Sequence, residues 1–447
     1  MSTQTLPLSS VAVPVSRALD GYPVAIIGAG PVGLAAAAQL VERGIPFVVF
    51  EAGPAAGTAV SAWGHIRLFS PWEFLIDGAA GHLLDGAGWD SPRATQMPYG
   101  RDLVSEYLLP LAATPELAPH IHYGVRVTDV SRRGMDRTRS VGRGSTPFLL
   151  RLEMAGDSTE QLARAVIDTS GTYGTPNGLA ASGLAPARLD LVKDLVSDGL
   201  PDVLGADRDN YAGKHTLVVG AGHSAANTLL GLAALARQHP GTLITWAIRG
   251  PGPVRVYGSA ADELEGRGQL GGAVHNLVRS GEVQLLNNFE IDDLAPDQFH
   301  RVAVLGRRMG SPTSLDVDRV VNATGFRPDL GMLREIRLSL DEIVEAPRAL
   351  APLIDPNLHS CGSVPPHGVV ELSHPEPNFY IAGMKSYGRA PTFLLATGYE
   401  QVRSIADELA GNRAAARLVQ LVLPETGVCS TGSSDLPSDA AVGGCCS

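Results

Sequence analysis

Apolar and polar positions divide the chain into short unbroken apolar runs, helical patterns and alternating segments. Residues 23–51, "PVAIIGAGPVGLAAAAQLVERGIPFVVFE", begin with "VAII", the length of a buried parallel strand. A glycine turn follows. "LAAAAQLVERG" predicts a helix closed by Gly44, and "FVVFE" predicts a second strand. Residues 215–249, "HTLVVGAGHSAANTLLGLAALARQHPGTLITWAIR", repeat the same strand, turn, helix and strand.

Between the two units, "VRVTDVSR" and "PFLLRLEMAG" predict strands of a small β-layer. "ARAVIDTSGTYGTPN" and "RVVNATGFRPDL" each predict a strand that ends in a glycine turn. "NFYIAGMKSYGRAPTFLLATGYEQVRSIADELAG" predicts a strand, a loop and a long amphipathic helix that stops at Gly411. Residues 1–20 and 423–447 carry no such pattern, and both are expected to be flexible. The expected fold is therefore α/β, with two Rossmann-like dinucleotide-binding domains. The first is discontinuous (21–205 and 324–422) and the second, 206–323, is inserted into it.

Composition narrows the partners. The net charge of −11 and the lack of a Lys/Arg-rich run exclude a nucleic-acid footprint. No apolar run approaches the roughly 20 residues of a membrane span. The first residues lack the basic and apolar regions of a secretory signal. Four cysteines with no CxxC pair suggest reduced thiols, so the expected location is the cytoplasm.

Gly28, Gly30 and Gly33 fit G-x-G-x-x-G directly after a strand, and Pro31 opens the helix. The first glycine permits the tight turn. The second lets a pyrophosphate approach the backbone, and the third lets the helix pack close to the sheet. Glu51 ends the second strand, where an acid can bind a ribose hydroxyl. The second turn reads Gly220, Gly222, Ala225, and its following strand ends in Arg249 instead of an acid. An acid would repel a 2′-phosphate and an arginine accepts one, which points to NADPH; the alternative for Arg249 is a solvated surface residue.

These motifs resemble the flavin-containing monooxygenases and related two-dinucleotide-domain flavoproteins. The resemblance spans about residues 20–420. It rests on both glycine turns, "MPYGRDLVSEYL", "YAGKHTLVVGAGHSA", "NATGFRP" and "GMKSYGRAPTFLLATGYEQVR". It implies FAD at the first turn, with Val127, Gly171, Gly383, Pro391 and Thr392 lining that site. It implies NADPH at the second, with His223 and Ser224, and makes Ala323, Thr324 and Gly325, where the chain crosses back to the FAD domain, further cofactor contacts. The family's F-x-G-x-x-x-H-x-x-x-[FY] fingerprint is altered: Gly205 is kept, but Val203 and Asp209 replace the phenylalanine and histidine, and the aromatic is Tyr211. This makes oxygen transfer to a small-molecule substrate, with O2 consumed, less secure than NADPH-dependent flavin reduction.

"SAWGHIRLFSPWEF" is expected to pass the flavin. Trp63 and Arg67 are its candidate contacts, though aromatics of this kind also serve as core. Arg67, Asn227 and Lys385 are the candidate catalytic side chains, and Arg389 accompanies Lys385 near the flavin or substrate mouth. His359, Cys361, His367 and His374 match no zinc template, so no metal is expected.

The chain ends in "GGCCS". Adjacent cysteines are poor disulfide partners but suit a soft centre, and Cys429 supplies a third thiol. The pair is similar to the C-terminal cysteines of mercuric reductase. With an NADPH–flavin core it resembles flavin-binding monooxygenases of actinobacterial arsenic-resistance clusters. That resemblance implies metalloid-binding thiols at Cys429, Cys445 and Cys446; the alternatives are an idle end, an electron-passing reductase or a non-catalytic scaffold.

Overall fold

The computed structural model describes residues 19–253, 257, 265–355, 364–390 and 393–421. The first domain begins with β1 (Val24–Ile27), α1 (Pro31–Glu42) and β2 (Phe47–Glu51). Then come α2 (Gly78–Gly86), β3 (Ile121–Tyr123), the antiparallel β4 (Arg126–Arg132), β5 (Phe148–Met154) and β6 (Asp157–Ala163), and β7 (Ala165–Asp168). The second domain holds β8 (Val196–Asp198), β9 (His215–Val219), α3 (His223–Gln238) and β10 (Leu243–Ala247). It continues with α4 (Glu265–Ser280), β11 (Gln284–Leu286), the meander β12 (Phe289–Pro296), β13 (Val302–Arg308) and β14 (Ser311–Val317), and β15 (Arg319–Asn322). The chain then returns to the first domain for β16 (Phe379–Ile381) and α5 (Leu395–Leu409).

The two main sheets are parallel and share one plan. Their orders are β16-β7-β1-β2-β3 and β8-β15-β9-β10-β11. The unbroken apolar runs follow from cover on both faces. Val24, Ile26 and Val49 pack with the alanines of α1, while Ala25, Ile27, Val48 and Phe50 pack against the β4–β6 meander. The second sheet alternates likewise, with Val218 toward α3 and Leu217 and Val219 toward the β12–β14 meander.

One expected boundary needs correction. A second domain starting at 206 would cut its own sheet, because β8 pairs in parallel with β15 (Val196↔Val320). The segment carrying the altered fingerprint lies between β8 and β9 and supports α3 from behind. Val203 and Tyr211 are buried, and the Tyr211 hydroxyl lies 2.7 Å from the Ser197 hydroxyl. A Cβ at Gly231 in α3 would come 2.7 Å from Val203, so this helix rides close on that segment.

α1 crosses α5 through small residues. A Cβ at Gly398 would fall 2.7 Å from Val32, and one at Gly383 3.2 Å from it. Polar side chains tie the far end of α1 to its neighbours. Arg43 donates to Asp407 (2.8 Å), which Arg403 also reaches (2.7 Å). Gln39 donates to both carboxylate oxygens of buried Asp77 (3.3 and 3.1 Å), which caps α2 by accepting from the Ala80 N–H (3.0 Å).

Burial pushes the Asp77 carboxyl up from 3.8 to about 6, against the hydrogen bonds that favour its charged form. A raised folded pKa means stability that is present below the unfolded value and is lost as pH rises through the folded one. Asp77→Asn keeps an oxygen for the cap and removes the titration. From about pH 4 to about pH 7 the variant should gain about 3 kcal/mol on the wild type, read by urea unfolding across pH. A pH-independent difference would show that Asp77 does not titrate in this window.

Candidate active site between two glycine turns

At the first turn, Gly28 leaves β1 at φ +101°, and its N–H donates to the Phe50 carbonyl (2.8 Å). A Cβ at Gly33 would lie 2.0 Å from the Gly28 carbonyl oxygen, so the helix fits only with glycine there. At Gly30, the N-cap of α1, a Cβ would meet nothing within 4 Å. No side chain caps α1, its first turn has no acid, and Pro31 at the start removes one N–H that needs no partner. The remaining N–H groups of the first turn lie at the positive end of the helix dipole, beside the open space at Gly30. This arrangement fits a pyrophosphate.

Glu51 braces the turn. Its two oxygens accept from the N–H groups of Ala29 and Gly53, each at 2.7 Å. A carboxylate has acceptor capacity beyond two hydrogen bonds, so a ribose hydroxyl can still be accommodated. The Val125 N–H bonds the Glu51 carbonyl (2.9 Å) and brings β4 beside the turn, with Val127 buried at a bulge in that strand. Gly171, at φ +70°, lies just past β7 with open space where a side chain would stand.

The second turn is built alike. Gly220 has φ +133°, and a Cβ there would come 2.1 Å from the Ala323 carbonyl oxygen. Gly222 caps α3 with open space around it, and again no side chain caps the helix and no acid lies in its first turn. Ala225 is buried where the first turn has Gly33. Arg249 is exposed and donates to the Ala181 carbonyl (3.2 Å). It lies on the rim of a cavity of about 450 Å³, which also reaches Gly220, Ala221, Thr324 and Arg389. The crossing segment is clasped by polar groups. The Thr324 hydroxyl lies 2.6 Å from Asn322 Oδ1, Asn322 Nδ2 donates to Asp198 (2.7 Å), and the Asn177 N–H donates to the Gly325 carbonyl (2.9 Å).

The two turns meet. Phe69, from the loop after the first unit, lies with its ring 5.4 Å from that of His223 at the start of α3, next to Ser224. Within the same loop Trp72 is fully buried as core, and Trp63 is partly buried against Gly100. Arg67 is exposed, with its guanidinium on the Met97 carbonyl (3.3 Å). Asn227 is partly buried and donates back to the His223 carbonyl (3.0 Å). Lys385 is buried, donating to Asp168 (2.7 Å) and to the Ser170 hydroxyl (3.0 Å). The three candidate catalytic side chains thus have separate local partners. Lys385 is committed to a buried ion pair at the end of β7.

Gly383, at φ +72°, donates its N–H to Gln401 Oε1 (2.7 Å), whose Nε2 lies 2.8 Å from His367. His367 is thereby part of a buried hydrogen-bond network, and His374 accepts from the Ser339 N–H (3.3 Å). Pro391, Thr392, His359, Cys361, Cys429, Cys445 and Cys446 lie outside the described residues. Sequence reasoning missed Asp168 and Asn322. Each is a polar residue closing an apolar strand, "AVID" and "RVVN", and that interruption was the available signal.

The family described as NAD(P)-binding Rossmann-like domain matches residues 26–87, the first turn and its helix. The ferredoxin–NADP reductase of Salinispora tropica is 28% identical over 318 residues, 71% of this chain and 78% of that protein. Among solved structures, bacillithiol disulfide reductase Bdr (YpdA) from Bacillus cereus superposes with a TM-score of 0.63 at 20% identity, covering 88% of this chain and 99% of that one. DfoA bound to FAD, the cadaverine monooxygenase of Erwinia amylovora, superposes with a TM-score of 0.62 at 14% identity, covering 94% and 99%. The chain has the α/β fold of two-domain FAD- and NAD(P)-dependent oxidoreductases, in which reductases and monooxygenases share one architecture.

Proposed function

We propose that this FAD- and NADPH-dependent oxidoreductase is a monooxygenase that oxygenates a small molecule at a soft heteroatom, sulfur, nitrogen or arsenic, with O2 as co-substrate. The observation that carries the reading is the contact between Phe69 and His223, which sets the loop after the first dinucleotide unit against the start of the second unit's helix. FAD is held at Gly28–Gly33 with Glu51, and NADPH at Gly220–Ala225 with its 2′-phosphate at Arg249. When bound, FAD supplies two-electron chemistry and reactivity toward oxygen. The chain's own part is binding, orientation and exclusion of water. The buried Lys385–Asp168 pair fixes the end of β7 and, through Ser170, the loop that leads to Gly171. Cysteines occur only from Cys361 onward, so no thiol stands on either turn or on the Phe69 loop, which speaks against dithiol exchange at the flavin.

The likeness to ferredoxin–NADP reductases favours a second reading, an NADPH-dependent reductase that passes electrons to a protein or small acceptor. No helix among the described residues is long and apolar enough to cross a membrane, in keeping with a cytoplasmic enzyme. The deciding experiment reduces the protein with NADPH without oxygen, then admits air with candidate thiol, amine and arsenite substrates. An oxygen-dependent transient between the reduced and oxidised spectra, with product formed in step with NADPH use, supports the oxygenase. Direct reoxidation with no product and efficient ferredoxin reduction would replace it with the reductase. Removing the last three residues tests the metalloid role of Cys445 and Cys446: only arsenite turnover should fall.

A further inference from the structure

The 450 Å³ cavity at the second turn is lined almost wholly by the second domain and the crossing segments. One lining residue, Arg389, comes from the returning portion of the first domain. Arg249 and Arg389 are the charged residues of the lining, and no carboxylate is among them. Such a cavity favours an anion. Arg249 stands at the end of β10, where the 2′-phosphate of NADPH is assigned above. Arg389 lines the same space as Thr324, the residue where the chain crosses back to the first domain.

Arg389 is held in place by its backbone. Gly388, at φ +57°, permits a turn in which a Cβ would fall 2.0 Å from the Val344 carbonyl oxygen. The Arg389 N–H then donates to that same carbonyl (2.7 Å), and the Ala390 N–H donates to Tyr387 (2.9 Å). A few residues earlier Lys385 is locked to Asp168. The Arg389 guanidinium itself makes no hydrogen bond or ion pair with any described residue, and the residue is exposed. A fixed backbone thus presents an uncommitted fork of donors to an anion cavity from the opposite domain.

We propose that Arg389 binds the pyrophosphate of NADPH across the domain interface, in the cavity it shares with Gly220 and Ala221 of the second turn. A guanidinium matches a phosphate in charge and in paired hydrogen bonds. The nucleotide is then gripped by both domains at once. NADP⁺ carries the same phosphates as NADPH, so Arg389 also sets how long the oxidised nucleotide stays. The assignment rests on NADPH occupying this cavity.

The test is anaerobic flavin reduction of the full FAD-bound chain by NADPH and, separately, by NADH. Arg389→Gln should weaken both nucleotides by about 10- to 100-fold and leave the preference for NADPH unchanged, because the pyrophosphate is common to them. Arg249→Gln should instead erase the preference and change NADH little. Arg389→Lys should recover part of the loss, since it restores charge without the fork. Equal affinity of Arg389→Gln and wild type for both nucleotides would overturn the assignment. So would a loss confined to NADPH, which would make Arg389 a 2′-phosphate ligand. If the glutamine variant loses its flavin, Arg389→Lys decides in the same way: weaker binding of both nucleotides supports the assignment and unchanged binding overturns it. A wild-type flavin that NADPH does not bleach overturns the NADPH reading and this assignment together.

Discussion

Lys385→Met is expected to destabilise the protein by about 3–5 kcal/mol, because it leaves Asp168 charged and unpaired in the interior. The side chains of Lys385 and Asp168 are 1% and 0% exposed, and their atoms lie 2.7 Å apart. Coulomb attraction at that distance is strong, but so is the cost of taking both ions from water, so the pair as a whole contributes little. The double variant Lys385→Met with Asp168→Asn should therefore recover much of the single loss. Urea unfolding of the four proteins in the cycle measures this. Flavin content should fall with the single variant, since the pair also holds the Ser170 hydroxyl beside the first turn. A single-variant loss under about 1 kcal/mol would mean that the pair is not a buried bond.

The second large effect separates the two nucleotide sites without harming the fold. A Cβ at Gly30 or Gly222 meets nothing in the protein. Gly30→Ala should fold normally and lose FAD, because the methyl group occupies the place of the pyrophosphate. Gly222→Ala should keep its yellow colour and lose flavin reduction by NADPH. Their neighbours should behave differently. Gly33→Ala drives a carbon to 2.0 Å from the Gly28 carbonyl oxygen, and Gly220→Ala to 2.1 Å from that of Ala323, so these variants should damage folding itself. Flavin absorbance, circular dichroism and anaerobic titration with NADPH distinguish the cases. A Gly222→Ala protein reduced as fast as wild type would remove NADPH from the second turn.

Much of this was legible in the sequence because the signals were local. A glycine turn between an apolar run and an alanine-rich helix has few structural solutions, and both units form as expected, from Val24 to Glu51 and from His215 to Ala247. Gly44 ends the first helix region at φ +60°, and Gly411 follows α5 at φ +83°. What failed were features set by distant partners. β8 is three residues long and half exposed, and only its pairing with β15 assigns it to the second sheet. β6, "DSTEQLA", is largely exposed at a meander edge, so it carries no apolar alternation. The ion pair of Lys385 was not legible, because its partner lies 217 positions away in sequence. The Met97 carbonyl that Arg67 donates to is 30 positions away and equally invisible to a local pattern.

The matching strand orders of the two sheets hide a difference in when each can be finished. In the second sheet the edge strand beside β15 is β8, made before β9, so every strand from Val196 to Asn322 is contiguous in the chain. In the first, the equivalent place beside β7 is taken by β16, which starts only at Phe379. During synthesis the domain that emerges first must therefore wait for the last part of the chain, with the edge of β7 open. The inserted domain can close while it waits. A nascent chain that has emerged past Asn322 but not yet to Phe379 would carry a finished second sheet and an unfinished first one, and that exposed edge is where an interrupted chain would begin to aggregate.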